Sequence, residues 1–234
     1  MQYLVVAGGG GGGTHNCGYG GGAGAGGLLQ GNVNITCTGA LAITIGAGGT
    51  STWPSATAGS NTTVSGSILS STILTYGGGK GGSPFRNEHG SVLNGGSGGS
   101  GSGSDNTNGP PGKGVYPGST FVSGPRQGYD GAMKYCNGAG GGGGAGGVGG
   151  TGGYPACYYY CGFGGLGICS SISGTPTIYA HGGSTYGCTQ PCRYFGSTGA
   201  PNTGNGGGGN ANLCYHAGGY RGGSGVVIVK YQFQ

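Results

Sequence analysis

Side chains that could do chemistry are scarce in this chain. Its carboxylates are Glu88, Asp105 and Asp130, and its histidines are His15, His89, His181 and His216. General acid–base catalysis needs groups held within hydrogen-bond reach of a substrate proton, and three acids leave little material for paired-carboxylate work. The stretch Gly95-Gly-Ser-Gly-Gly99 has the spacing of a nucleophile elbow but lies in linker-like sequence, not at a strand-to-helix turn. Gly109-Pro-Pro-Gly-Lys-Gly114 has the outline of a phosphate loop. However, Thr107 stands where the first glycine is required and no Ser or Thr follows Lys113. With 71 glycines in 234 residues, matches to a dinucleotide fingerprint arise by chance. The expectation is a protein that is not an enzyme and carries no cofactor.

The nine cysteines are the next candidates, and seven of them lie from Cys136 onward. Cys157-x-x-x-Cys161 and Cys188-x-x-x-Cys192 are spaced more loosely than the commonest zinc knuckle, so no metal site is expected. These four residues are instead the disulfide candidates. Staples would help a domain with a small apolar core. Yet the opening segment has no basic n-region and its apolar run ends at Ala7, so it does not read as a secretory signal. Two readings stand. In one, the chain is made in a host cytoplasm without a signal peptide and works outside it, on a released particle, with some cysteines paired. In the other, the thiols are reduced and packed as small apolar side chains.

The aromatic residues hold more promise. Sixteen tyrosines occur in a chain with only eleven charged residues, many of them between glycine blocks. Tyrosine supplies large, rigid contact area and a hydroxyl at low entropic cost, which is why binding loops favour it alongside Ser, Gly and Asn. The candidate receptor-binding residues are Trp53, the single tryptophan, then Tyr158, Tyr159, Tyr160 and Phe163, and a second patch of Arg193, Tyr194 and Phe195. Planar rings beside Asn, Ser and Thr suit a surface glycan or the exposed loops of a membrane protein, and Arg193 suits an acidic sugar or a phosphate. The competing role for any one of these rings is to cover the scaffold as its core. The formal charge of +5 is scattered along the sequence, so nucleic-acid binding is not expected. No apolar run approaches the ~20 residues of a membrane span.

What positions such loops is glycine. The longest blocks are residues 8–13, 140–144 and 206–209. This composition ordinarily signals disorder, because ordering a residue costs about 1–2 kcal/mol and glycine has no side chain to bury. Two apolar segments argue otherwise: Met1-Gln-Tyr-Leu-Val-Val-Ala7 before the first block, and Gly225-Val-Val-Ile-Val-Lys230 near the end. A linker has no reason to be bracketed by strands. The ordered alternative is the extended left-handed helix, with three residues per turn and no internal hydrogen bonds, whose backbone groups all point sideways. Several such helices, lacking side chains, can approach closely and bond to one another.

The predicted fold class is therefore mostly β and irregular, with little or no α-helix. A small antiparallel β-layer of the N- and C-terminal strands joins a bundle of polyglycine II helices with long loops. Strands are predicted over Asn32–Cys37 and near Leu41–Ile45 from their period-two alternation, and over residues 62–65 and near Ile68–Tyr76 from their content of Thr, Ile and Val. Residues 97–104 read as a flexible linker, and residues 51–60 as a loop. The chain is read as a single glycine-rich domain over residues 1–234. Residues 1–82 and 215–234 frame it, and residues 83–214 form the helix bundle with its aromatic, cysteine-rich loops.

Tyr3-Leu-Val-Val-Ala-Gly-Gly-Gly-Gly-Gly12, Gly24-Ala-Gly-Gly-Leu28, Ile43-Thr-Ile-Gly-Ala-Gly-Gly49, Leu74-Thr-Tyr-Gly-Gly-Gly79 and Gly222-Gly-Ser-Gly-Val-Val-Ile-Val-Lys-Tyr231 together resemble a known pattern. It is the glycine-rich domain of bacteriophage tail-fibre and virion-surface proteins. The design is also similar to that of the tip adhesins on T-even-like phage long tail fibres. The departure is the cysteine- and tyrosine-rich stretch from Cys136 to Cys214. The resemblance implies a virion-surface adhesin domain for host attachment at a fibre tip. Its partners would be a host surface glycan or outer-membrane protein and other virion fibre subunits. The rival roles are a purely structural virion, capsid or extracellular fibre component and, further off, an antifreeze-type polyglycine bundle.

Overall fold

The computed structural model describes residues 1–14, 19–35, 38–86, 92–105, 109–135, 138–152, 162–185, 196–210 and 218–231. Among these residues there is no helix, and none therefore that could cross a membrane. Short strands are the only regular elements. They are β1 (Gln2–Val6), β2 (Leu28–Asn32), β3 (Ala42–Thr44), β4 (Ser51–Thr52), β5 (Ser55–Ala56) and β6 (Thr62–Ser65). Then come β7 (Ile73–Thr75), β8 (Ser83–Arg86), β9 (Val92–Leu93), β10 (Ile168–Ser170), β11 (Thr177–Tyr179) and β12 (Val226–Lys230).

The two terminal apolar segments meet as strands, as predicted. β1 lies between β12 and β2, antiparallel to both, with Leu4 opposite Ile228 and Gln30, and Val6 opposite Val226 and Leu28. Leu4, Val6 and Leu28 face a core with Ala25, Ala145, Tyr179 and Ala180, against which Ile168, Ile172, Val226 and Ile228 pack. Removing each large aliphatic side chain from water contributes about 1.5–3 kcal/mol. Val5 points to the other face and is fully buried, on the side where β1 contacts β6 and β7. These two strands belong to a second sheet, β3-β6-β7. Thr62 Oγ1 ties the layers together: it donates to Val6 O at 3.0 Å and accepts from Gly46 N–H at 2.9 Å.

The first glycine block has no side chains to pack, yet residues 8–13 are all buried. Its N–H groups turn with a period of three. Gly8 and Gly11 donate to Ser60 and Thr57, Gly9 and Gly12 to Gly223 and Tyr220, and Gly10 and Gly13 to Gly24 and Gly21. The carbonyls do the same on the intervening sides. Gly8 and Gly11 accept from Gly78 and Gly81, Gly10 and Gly13 accept from Gly207 and Asn210, and Gly9 accepts from Gly49. Ser51 Oγ completes the set by donating to Gly12 O at 2.6 Å. Six segments thus surround one. A chain that points its groups in a new direction at each residue and repeats after three has the directionality of a three-residue turn.

The same period recurs elsewhere. Gly20, Ala23 and Gly26 donate to Asn210, Gly207 and Gly204, while Gly21, Gly24 and Gly27 donate to Gly82, Gly79 and Tyr76. Residues 140–145 donate in alternation to 101–104, 147–150 and 180–183. Blocks from residues 1–82 and from residues 83–214 therefore share one lattice. Glycine is required for closeness: a Cβ on Gly12 would overlap the carbonyl of Gly208, and one on Gly103 that of Gly140. Where the lattice does carry side chains they are small, as at Ala7, Ala23, Ala25 and Ala139, all buried.

Four expectations are corrected. Residues 97–104 have the composition of a linker but run through the lattice. Ser100, Ser102 and Ser104 are fully buried, and Ser100 and Gly103 donate to Ala25 and Gly22. The physical reason is that a linker and a side-chain-poor lattice call for the same small residues. Residues 51–60 are not all loop: β4 and β5 pair as a hairpin with Trp53 and Pro54 at its turn, joined by a cis peptide bond. Of the run near Ile68–Tyr76, only β7 is strand, and of Asn32–Cys37 only Asn32 is, at the end of β2, while residues 36–37 lie outside the described residues.

Candidate functional site

Two of the predicted receptor-binding side chains lie among the described residues, and both combine a pinned backbone with an exposed ring. Trp53 sits at the tip of the β4–β5 hairpin with 38% of its surface exposed. The hairpin cannot swing away from the lattice. Ser51 Oγ bonds Gly12 O, and Thr14 Oγ1 donates to Pro54 O at 2.7 Å. On the other side of the hairpin, Thr50 N–H donates to Thr57 Oγ1 at 2.8 Å.

Phe163 is built alike. Its ring is 53% exposed, while its own carbonyl accepts from Gly150 N–H at 2.7 Å. The flanking Gly162 N–H donates to Thr185 Oγ1 at 2.6 Å, and Gly164 N–H to Ser184 Oγ at 3.0 Å. Trp53 and Phe163 are held by different segments, the first by residues 12–14 and the second by residues 150 and 184–185. Tyr158, Tyr159, Tyr160, Arg193, Tyr194 and Phe195 lie outside the described residues, as do the disulfide candidates Cys157, Cys161, Cys188 and Cys192. Cys169 on β10 is an exposed free thiol.

A third surface feature went unpredicted. Residues 113–130 form a loop organised by its own side chains. Arg126 lies over the rings of Tyr116 and Tyr129, its guanidinium carbon 5.0 and 4.3 Å from their centroids. Asp130 collects Lys113 Nζ at 2.8 Å, Gly114 N–H at 2.9 Å and Tyr116 Oη at 3.2 Å. The hydrogen bond from Lys113 to Asp130, helped by the carboxylate's charge, holds the ammonium above lysine's ordinary range. Beside this loop is a cavity of about 350 Å³ lined by Tyr3, Leu29, Leu74, Tyr76, Val122 and Pro125, among others. Phe121 meets Tyr76 edge to face, with ring centroids 6.3 Å apart. The signal was present in the sequence: Lys, Tyr, Arg, Tyr and Asp fall in one proline-bearing stretch of a chain with few charges.

Of the acids and histidines, Glu88, His15, His89 and His216 lie outside the described residues. Asp130 is fully engaged in holding its loop. His181 uses Nδ1–H on Gly182 O at 2.7 Å, and Asn205 Oδ1 accepts its backbone N–H at 2.9 Å. Among the described residues no three His, Cys, Asp or Glu side chains converge as metal ligands would. What the arrangement can do is hold aromatic and cationic groups at fixed places on a stiff frame.

From β1 through β12, this frame falls inside a match to the glycine-rich domain family that spans residues 1–232. The chain belongs to that family. No curated protein and no solved structure matches it. Within the glycine-rich domain, the blocks supply the lattice, and Trp53, Phe163 and the Arg126 cluster stand on segments that leave it.

Proposed function

We propose that this glycine-rich domain is a virion-surface adhesin at a fibre tip, whose loops engage a receptor on the host. The supporting observation is that Trp53 and Phe163 each expose an aromatic ring from a backbone clamped to the glycine lattice. Loops on rigid scaffolds are the usual carriers of binding function. A preset aromatic side chain also loses little freedom on contact, so more of its burial appears as affinity. We read the blocks with threefold hydrogen-bond direction as polyglycine II helices. The receptor in this reading is a surface glycan or outer-membrane protein, with Arg193, Tyr194, Phe195 and Tyr158–Tyr160 adding to the contact surface.

The test is to label intact particles with an antibody to the folded chain and to measure adsorption. Surface labelling with blocked adsorption is the expected result; labelling only after the particle is broken open would favour an interior structural component. A central aromatic anchor carries about 2 kcal/mol or more, roughly thirtyfold in affinity. Trp53→Ala and Phe163→Ser are expected to weaken cell binding by that order with an unchanged thermal midpoint. Full adsorption by both variants would leave these rings as mere cover for the scaffold.

A further inference from the structure

The sheet β12-β1-β2 sets one face against the core, and that face changes chemistry along its length. Directly opposed residues of an antiparallel ladder share a face, as do alternate residues of a strand. The first row, Val6 with Val226 and Leu28, is wholly apolar. The next, Leu4 with Ile228 and Gln30, is mixed, and the last, Gln2 with Lys230 and Asn32, is wholly polar. The β10–β11 hairpin packed on this face changes in step. Ile168 and the opposed Tyr179 join the core, and two residues further on Ser170 stands opposite Thr177.

Where both layers turn polar they part around an open cavity of about 370 Å³. Gln2, Gln30, Asn32 and Lys230 line one wall, and Ser170 and Ser171 the other. Polar side chains at the inward positions of a strand depart from the pattern that builds a core, and such departures gather at functional sites. A solvated strand end does not account for this one, because it would be polar on both faces. The opposite face carries Tyr3, Leu29 and Val229, all half-buried. Among the described residues no hydrogen bond or ion pair engages the six polar side chains of the cleft.

We propose that this cleft binds a saccharide bearing an acidic group, a carboxylate or a phosphate. An amide side chain offers donor and acceptor together, and so does a hydroxyl, which matches the neighbouring hydroxyls of a sugar ring. Opposed residues stand about 4.5–5.5 Å apart at Cβ, so Lys230, Gln2 and Asn32 present an ammonium and two amides side by side. Lys230 brings the charge, and among the described residues no carboxylate lines the cleft to answer it. Asp130 is held by Lys113, and Asp105 is fully buried. A lysine ammonium is a point charge that suits either acidic group. An apolar ligand would instead take water from the amides and leave them unpaired, which is unfavourable. This inference does not rest on the adhesin reading, since neither Trp53 nor Phe163 lines the cleft.

Titration of the isotopically labelled full chain with glucuronate, N-acetylneuraminate, a hexose phosphate and plain glucose tests it by NMR. The side-chain amide signals of Gln2, Gln30 and Asn32 are expected to shift with at least one acidic sugar, and glucose to bind roughly tenfold or more weakly, as loss of a hydrogen bond to a charged group implies. The carboxylated and phosphorylated probes tell the two acidic groups apart. Lys230→Met is expected to bring the acidic sugar down to the level of glucose. Gln30→Glu, which sets a negative charge in the cleft, is expected to abolish acidic-sugar binding. No shift with any acidic sugar overturns the proposal, as does glucose binding equally well. A glutamate-rich peptide that shifts the same signals as strongly also overturns it, by showing a surface that reads charge alone. If Lys230→Met fails to fold, Gln30→Glu decides: retained binding overturns the proposal and lost binding supports it. Trp53→Ala is expected to leave the titration unchanged whatever it does to cell binding, so the two readings fail separately; a titration altered by Trp53→Ala would place the sugar outside the cleft and overturn the proposal.

Discussion

Residues 8–13 and residues 113–130 are ordered by opposite means. The first segment has no side chains and spends every backbone group on six neighbouring segments. The second is held by what its side chains reach: Lys113 on Asp130, Arg126 on two tyrosine rings, Gln127 on the edge of β7. A lattice built on close backbone approach tolerates almost no change in composition. A loop built on side chains can exchange them singly and keep its path. Function that must vary belongs in the second kind of structure, supported by the first.

One substitution, glycine to alanine, measures that contrast across the molecule. At Gly12 the new methyl meets the carbonyl of Gly208 with backbone on both sides, so a segment must move. Overpacking of this kind is expected to cost ~3 kcal/mol or more, read as a fall in the urea midpoint. A value near zero would mean the lattice yields, and the comparison would collapse.

Gln127→Ala comes next. It strips a partner from Tyr76 N–H and Leu74 O at a side chain only 4% exposed, so about 2 kcal/mol of stability should be lost. Such a loss would show that one loop side chain can matter nearly as much as a lattice position. At Gly118 the space is open but φ is +82°, so Gly118→Ala should cost about 1 kcal/mol from backbone conformation alone.

The Lys113–Asp130 pair is half-exposed on the lysine side, and Asp130→Asn should cost under about 1 kcal/mol at neutral pH. Its pH dependence has a definite sign. Lysine's proton affinity is raised in the folded state, so the pair's contribution is complete below the ordinary 10.5 and is lost as pH rises through the higher folded value. Wild-type and variant midpoints should therefore converge above pH 10.5, and a gap that persists there would assign the effect to the Gly114 bond instead. Gly124→Ala has nothing within 4 Å and no positive φ, so it should be neutral or stabilising by about 0.5 kcal/mol.

Continuous apolar runs made β1 and β12 legible in the sequence, period-two alternation made β3 so, and a run rich in Thr and Val β6. β10 and β11 escaped notice as strands. They pair over only three residues each, and their burial comes from Leu4 and Val6, far away in sequence. Of the candidate site, exposure of Trp53 could be expected from its loop of Ser, Thr and Pro, and that of Phe163 from the tyrosines and glycines around it. The Arg126 cluster is local, its residue types lying together between 113 and 130, and only its arrangement escaped the sequence. The contacts of Gln127 with Leu74 and Tyr76 could not be read, since they join segments 53 and 51 residues apart.

Residue type alone determined that this chain would have terminal strands and blocks of glycine with sideways-facing backbone groups. Tertiary structure decided which block lies beside which. Residues 8–13 and 97–104 carry almost no side-chain information to choose a neighbour. Register is therefore set by the strands and short polar contacts that enter the lattice, such as Ser51 on Gly12 and Thr62 on Val6. Composition made a lattice possible; the few side chains at its borders determined which segments meet in it.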